Sequence, residues 1–162
     1  MLAETAARLA IVEDADAIGA LSRELIEHGM PWRWRPERVR RAIKSPDTNV
    51  AVVGPRGAPI AFGIMEYEEG EAHLLLFAVA AAHQRRGIGS TLLRWLEDVA
   101  RVAGIQRIQV EARGENESAR CFYNEHGYHE WALEPSMYRP RFDGIRLEKW
   151  LCQVTPSGRS DA

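Results

Sequence analysis

Residues 73–93 read H-L-L-L-F-A-V-A-A-A-H-Q-R-R-G-I-G-S-T-L-L. An apolar run with strand character empties into a basic turn holding two glycines, and the turn opens a helix. Backbone N–H groups in a first helical turn lack intrahelical partners and sit at the positive end of the helix dipole, so such a turn is an anion site. Gly87 and Gly89 remove side chains that would hold a phosphate away from those amides, and Arg85 and Arg86 add positive charge. A dinucleotide fingerprint needs a third glycine where S-T-L-L stands, and a P-loop needs a lysine before Ser or Thr; neither is here. On spacing alone the G-x-G leaves two readings open, a phosphate cradle and a plain helix start.

Outward from this stretch the pattern alternates between strand and helix periods. The helix continues from Gly87 to about Ala103, with Ile88, Leu92, Trp95, Leu96, Val99 and Ala103 as its expected buried stripe and Gly104 as its stop. Upstream, residues 49–53, 59–67 and 72–80 are β-rich runs separated by G-P-R-G-A-P and E-E-G-E, an antiparallel meander. Residues 7–12 read as a short strand. Asp14 and Asp16 offer N-cap oxygens to a helix with Ile18, Leu21, Leu25 and Ile26 on one face, and Pro36 opens a second helix through Val39 and Ile43. Downstream, residues 105–112 read as a strand and 116–125 as a helix closed by Gly127. Residues 128–133 and 145–154 read as a hairpin around a long loop. The order is β-α-α-β-β-β-α-β-α-β-β. Strand, long helix and strand in succession make one right-handed parallel crossover inside an otherwise antiparallel sheet. The expected fold class is α+β, as a single domain over residues 1–154 with residues 155–162 as a flexible tail.

Composition narrows the function classes. A chain of 162 residues suits one domain of roughly 150. Its 21 basic and 23 acidic side chains, net −2, exclude a nucleic-acid binder marked by bulk charge and an acidic disordered chain. Cys121 and Cys152 are too few for a disulfide framework. His126 and His129 lack a cysteine or acidic partner at ligand spacing, so no metal is expected. No G-x-S-x-G marks a hydrolase. The N-terminus shows no basic-then-apolar leader, and the longest apolar run, residues 74–82, is about half of the ~20 residues a membrane helix needs. These observations predict a cytoplasmic protein with no membrane partner; oligomeric state stays open, a homodimer included.

Two motifs carry a resemblance. Q-R-R-G-I-G, residues 84–89, fits the pattern (Q/R)-x-x-G-x-(G/A), with a strand ending F-A-V at the matching offset. N-E-S-A-R-C-F-Y-N-E-H-G-Y, residues 116–128, fits N-x-x-A-x-x-(L/F)-Y-x-x-x-G-(F/Y). In this order, on this element order, they resemble the GNAT acetyltransferase superfamily. Pro31-Trp32, V-E-A-R at 110–113 and Asp143-Gly144 are similar to its ribosomal-protein alanine N-acetyltransferases. The chain departs from the pattern at Ala81, where many members have proline, and in its W-R-W-R run.

The resemblance implies helices on both sheet faces, a splayed parallel strand pair and acetyl-CoA as co-substrate. The diphosphate would rest on Gln84, Arg85, Arg86, Gly87, Ile88, Gly89 and Ser90. The pantetheine arm, with its alternating amides, would pair with Phe77, Ala78 and Val79 like an added strand. Asn116 would touch the cofactor, cap its helix, or both. Tyr123 would line the cofactor site and act as general acid, since a phenol is protonated at pH 7 and donates to a departing thiolate. Two residues compete as base. Glu111 matches the position of a glutamate in the ribosomal-protein enzymes, and His73 lies where histone-type members place one. An unperturbed imidazole is competent near pH 7 as it stands; a carboxylate needs burial or a relaying water.

Two charged blocks remain. P-W-R-W-R-P-E-R-V-R-R-A-I-K, residues 31–44, sets five arginines and a lysine against Glu37, with Trp32 and Trp34 exposed by pattern. It reads as an aromatic acceptor wall with arginines for a carboxylate or acidic peptide, as a single-stranded nucleic-acid contact, or as a solvated helix face. E-Y-E-E-G-E, residues 66–71, is an acidic hairpin that draws in a cationic amine or is a solvated turn. The expected function is transfer of acetyl from acetyl-CoA to a primary amine, a peptide N-terminus, a lysine or a small-molecule amine, by direct attack in a ternary complex. The alternative is a non-catalytic acyl-CoA sensor on the same fold.

Overall fold

The computed structural model of the chain describes residues 5–138 and 142–151; the expected tail, residues 155–162, lies outside them. The elements are β1 (Ala7–Leu9), α1 (Ala15–Leu21), a π turn (Ser22–Ile26), α2 (Pro36–Lys44), β2 (Thr48–Val53), β3 (Ala61–Glu68), β4 (Glu71–Val79), α3 (Ile88–Val102), β5 (Arg107–Arg113), α4 (Glu117–Glu125), β6 (His129–Tyr138) and β7 (Phe142–Trp150). The seven strands form one sheet in the order β1-β2-β3-β4-β5-β7-β6. Every neighbouring pair is antiparallel except β4 and β5, which α3 joins as the expected parallel crossover.

Period-2 alternation sorts the strand residues into two cores. Ala51 and Val53 face one side with Leu92, Leu93 and Leu96 of α3. Val50 and Val52 face the other, with Ile18 of α1 and Val39 of α2. Helices therefore cover both faces. Each fully buried leucine of α3 contributes roughly 1.5–3 kcal/mol of burial. Gly63 lets α3 approach, because a Cβ there would come within 2.8 Å of Leu96 Cδ1.

The feature that shapes the site is a bulge in β4. Met65 pairs with Leu74 and Ile64 with Leu76, so Leu75 is one residue too many. The extra residue flips the alternation. Ala72 and Leu74 lie in the α3 core before it, whereas Leu76 lies in the α1–α2 core after it. The β4–β5 pairing runs from Glu71↔Arg107 only to Leu74↔Val110. Beyond that point the two parallel strands separate, and β5 continues paired to β7 as far as Arg113↔Gly144.

Two expectations need correction. The buried arc of α3 is rotated from the predicted stripe: Leu93, Glu97 and Ala100 are buried, Trp95 and Val99 are half-buried, and Ala103 is exposed. Glu97 enters the core because Tyr128 and Lys149 supply polar partners there. The last hairpin is not built around a long loop, since β6 runs to Tyr138 and β7 starts at Phe142. Pro135 is tolerated because β6 is an edge strand and the register shifts between Glu134 and Tyr138.

Candidate active site

The turn before α3 is shaped for an anion. Gly87 caps the helix at φ +79° with no capping side chain, and Arg85 is also left-handed at φ 64°. A non-glycine residue in that region is uncommon and marks a constrained turn. Among the described residues, the N–H groups of Gly87, Ile88, Gly89 and Ser90 have no backbone acceptor. A Cβ on Gly87 would meet nothing within 4 Å and would point into open space, whereas one on Gly89 would lie 3.3 Å from Phe122, so Gly89 makes room for packing against α4 and not, as expected, for a phosphate. Free amides, open space and the exposed Arg85 and Arg86 fit a diphosphate. Ile88 offers only its amide, because its side chain is buried.

The other predicted cofactor residues differ in what they offer. Ala80 N–H donates to the Ile60 carbonyl at 2.7 Å, so by alternation the amide groups of Ala78 also face β3 and those of Phe77 and Val79 face the splay. The Val79 carbonyl already accepts from the Gln84 side-chain amide at 2.9 Å, which fastens the turn to the strand end. Asn116 caps α4 by accepting from the Ala119 N–H at 3.1 Å, leaving its amide NH₂ free of that bond. Ser90 Oγ lies 2.8 Å from His126 Nε2, and His126 Nδ1 lies 2.7 Å from the Phe122 carbonyl. A carbonyl only accepts, so Nδ1 carries the proton and, in the neutral ring, Nε2 accepts from the Ser90 hydroxyl. No sequence signal pointed to this contact.

Tyr123 and the two base candidates come from opposite faces. Tyr123 is 5% exposed in the α3 core, its ring 6.3 Å from Phe77 and 5.6 Å from Tyr128 by centroids. Ile108, Val110 and Ala112 of β5 point to that same core, so Glu111 points the other way. There His73 Nε2–H donates to Glu111 Oε1 at 2.7 Å, and Arg146 Nη1 donates to Glu111 Oε2 at 3.2 Å. The two rivals of the sequence are one hydrogen-bonded pair. Side-chain exposure is 36% for His73 and 19% for Glu111, so both meet solvent. Glu111 is the first β5 residue past the last β4–β5 pair and stands at the mouth of the splay. Tyr123 and the His73–Glu111 pair thus lie on opposite faces of the sheet, with Glu111 just past the end of the β4–β5 pairing.

Several supporting residues were not singled out from the sequence. Tyr128 Oη donates to Glu97 at 2.9 Å, and Lys149 Nζ donates to Glu97 and to the His126 carbonyl. Burial, together with the Glu97 carboxylate, pushes the Tyr128 phenol well above its ordinary value, so it stays protonated. Arg113 donates to the carbonyls of Ile26 and His28 at 2.8 and 2.7 Å, tying the loop after α1 to β5 two residues beyond Glu111. Their signal was weak because each pairs residues far apart in sequence.

The residues expected on the acceptor side differ from expectation. Trp32 and Trp34 are half-buried, not exposed. The Trp32 indole N–H donates to the Gly19 carbonyl, and Trp34 packs against the α1–α2 core. In the acidic hairpin, Glu71 is paired with Arg107 at 2.8 Å and lies at the closed end of the β4–β5 pair, away from the splay. Among the described residues no three His, Cys, Asp or Glu are grouped to hold a metal ion, and no helix is long and apolar enough to cross a membrane.

Known proteins share this architecture. The chain is 27% identical over 136 residues to the ribosomal protein bS18-alanine N-acetyltransferase of Salmonella typhimurium, covering 80% of this chain and 86% of that one. The crystal structure of the Escherichia coli ribosomal-protein-S18-alanine N-acetyltransferase superposes with a TM-score of 0.76 at 23% identity, over 91% of this chain and 94% of that one. PaiA N-acetyltransferase from Thermoplasma acidophilum, solved in complex with coenzyme A, gives a TM-score of 0.77 at 19% identity, over 89% and 97% of the two chains. The family model for the acetyltransferase (GNAT) family matches residues 19–128, which hold both motifs, the bulged strand and the anion turn, and the chain belongs to that family.

Proposed function

We propose that the chain transfers an acetyl group from acetyl-CoA to a primary amine by direct attack, with both reactants held at the splay of β4 and β5. What supports this reading is the end of β4–β5 pairing at Leu74↔Val110, with Tyr123 and the hydrogen-bonded His73–Glu111 pair on opposite faces of the sheet. Acetyl-CoA, when bound, supplies an acetyl thioester; the chain's residues supply position and protons. The amides of Gly87 to Ser90 hold the diphosphate, with Arg85 and Arg86 beside them. Phe77 and Val79 offer backbone groups to the pantetheine amides, and Asn116 offers its side-chain NH₂.

The amine enters from the α1–α2 face. The His73–Glu111 pair takes its proton, with Glu111 nearest the gap and His73 orienting it or passing the proton to water. Arg146 holds the second Glu111 oxygen and fixes the carboxylate plane. From the opposite face Tyr123 donates a proton to the leaving thiolate. Thiol release from acetyl-CoA with a panel of amines and N-terminal peptides tests the reading. Turnover by the wild type and loss of about 10²-fold or more in Tyr123→Phe are expected. CoA binding with no turnover on any amine would instead favour an acyl-CoA sensor.

A further inference from the structure

The segment from the π turn to α2 carries arginines that the rest of the fold does not neutralise. Arg8, Arg40, Arg101, Arg107, Arg120 and Arg146 each pair with a carboxylate. Arg23, Arg33, Arg35 and Arg38 are exposed and form no ion pair among the described residues, although Glu24 and Glu37 lie on the same segments; Arg41, Arg56, Arg85, Arg86 and Arg94 are likewise exposed and unpaired there, but lie over no described ring. Three of the four are ordered by tryptophan. The guanidinium carbons of Arg23 and Arg35 lie 5.0 and 4.8 Å from the Trp32 ring centroid, and that of Arg38 lies 3.9 Å from Trp34. A guanidinium over an aromatic face loses side-chain freedom but keeps its N–H edge for an outside acceptor.

The backbone beneath is fixed too. Glu27 is buried and spends its carboxylate on the Ser22 hydroxyl at 2.7 Å and on the N–H groups of Arg33 and Trp34 at 2.7 and 3.2 Å. Its charge therefore does not reach the arginines as an ion pair. Arg113 holds the start of the same loop to β5, beside the mouth of the splay. Preordered, unpaired guanidinium groups on the segment that Arg113 ties to β5 suit planar carboxylates, which they bind in a forked geometry.

We propose that this loop is a carboxylate-recognition surface and that the preferred acceptor is an amine carrying carboxylates near the reacting nitrogen; the inference rests on the acetyl-transfer reading above. Two sources present that chemistry, a peptide N-terminus followed by acidic residues and a small acidic amine. A cationic acceptor is disfavoured by the same charges.

The test compares kcat/KM for peptides with acidic, amide or lysine residues at positions two to four, together with free glutamate and aspartate as the small-molecule arm. Acidic acceptors are expected to lead, and the better of the two arms identifies the source. Arg35→Glu/Arg38→Glu should lower kcat/KM for the acidic peptide about tenfold or more, mainly through KM, with the loss absent for the lysine peptide. Arg33→Gln, which uncovers no ring, should weaken the same acceptor to a smaller degree. CoA affinity measured by calorimetry should not change in either variant. Polarisation of a labelled acidic peptide on the CoA-loaded protein reads charge selectivity without turnover. Selective binding with no turnover would sink acetyl transfer and leave the carboxylate surface standing. Equal use of acidic and amide peptides, equal losses on all acceptors, or preference for a single-stranded oligonucleotide over the acidic peptide would overturn the proposal.

Discussion

Replacing Glu111 by Gln, His73 by Ala, and then both, closes a thermodynamic cycle on the 2.7 Å hydrogen bond between them. A general base contributes about 10²- to 10⁴-fold, so each single variant should lose activity in that range if its residue belongs to the base. A charge-assisted bond of this length is worth about 1.5–3 kcal/mol. His73 is 36% exposed, so solvent screens the pair and the lower end applies, about 1.5 kcal/mol. At ~1.36 kcal/mol per factor of ten, that is about tenfold in kcat/KM. The double variant should therefore be about tenfold more active than the product of the single losses predicts. The assay is the initial rate of thiol release at saturating acetyl-CoA with one fixed amine. Losses that multiply to within about twofold would show that the residues act independently and that their hydrogen bond has no shared role in the reaction.

Other consequences follow from the same geometry. Asp14 is 0% exposed and accepts from Arg8, the Ile11 N–H and the Gly57 N–H, each at 2.8 Å, so Asp14→Asn should cost about 3 kcal/mol of stability, read by denaturant unfolding. Burial pushes this carboxyl up, but Arg8 and the two backbone donors outweigh it and hold the group below its ordinary value. A depressed carboxyl stabilises the fold above its unfolded value of ~3.9 and stops doing so as pH falls through its lower folded value. The gap between wild type and Asp14→Asn should therefore narrow below about pH 4; a gap independent of pH would refute the assignment. Gly87→Ala meets no atom, so its cost is the left-handed backbone alone, about 1–2 kcal/mol, with a parallel loss of CoA affinity by calorimetry. Unchanged affinity in that variant would place the diphosphate elsewhere.

The fold was largely legible because its signals are local. Alternation in β2, the glycine-bearing turn and the amphipathic helix after it set the crossover without reference to distant residues. What escaped depends on contacts across the chain. Glu97 reads as a surface residue by type, and only Tyr128 and Lys149, 31 and 52 positions on, make its burial affordable. His73 and Glu111 looked like rivals because parallel register is invisible in a sequence; 38 residues separate side chains that touch. Trp32 and Trp34 alternate with arginine, a pattern that suggests exposure, but the Gly19 carbonyl and the α1–α2 core take up one edge of each. The motif stretch placed the glycine turn that opens α3, while the Leu75 bulge that ends the β4–β5 pairing has no residue signature of its own.

The central claim is that the gap opened beyond Leu74↔Val110 is where acetyl-CoA lies. A crystal structure of the chain grown with CoA tests it most directly. Pantetheine is expected between β4 and β5, its diphosphate on the amides of Gly87 to Ser90, and its sulfur within hydrogen-bond reach of the Tyr123 hydroxyl. Pantetheine outside the gap, or a sulfur turned away from both Tyr123 and the His73–Glu111 pair, would contradict it.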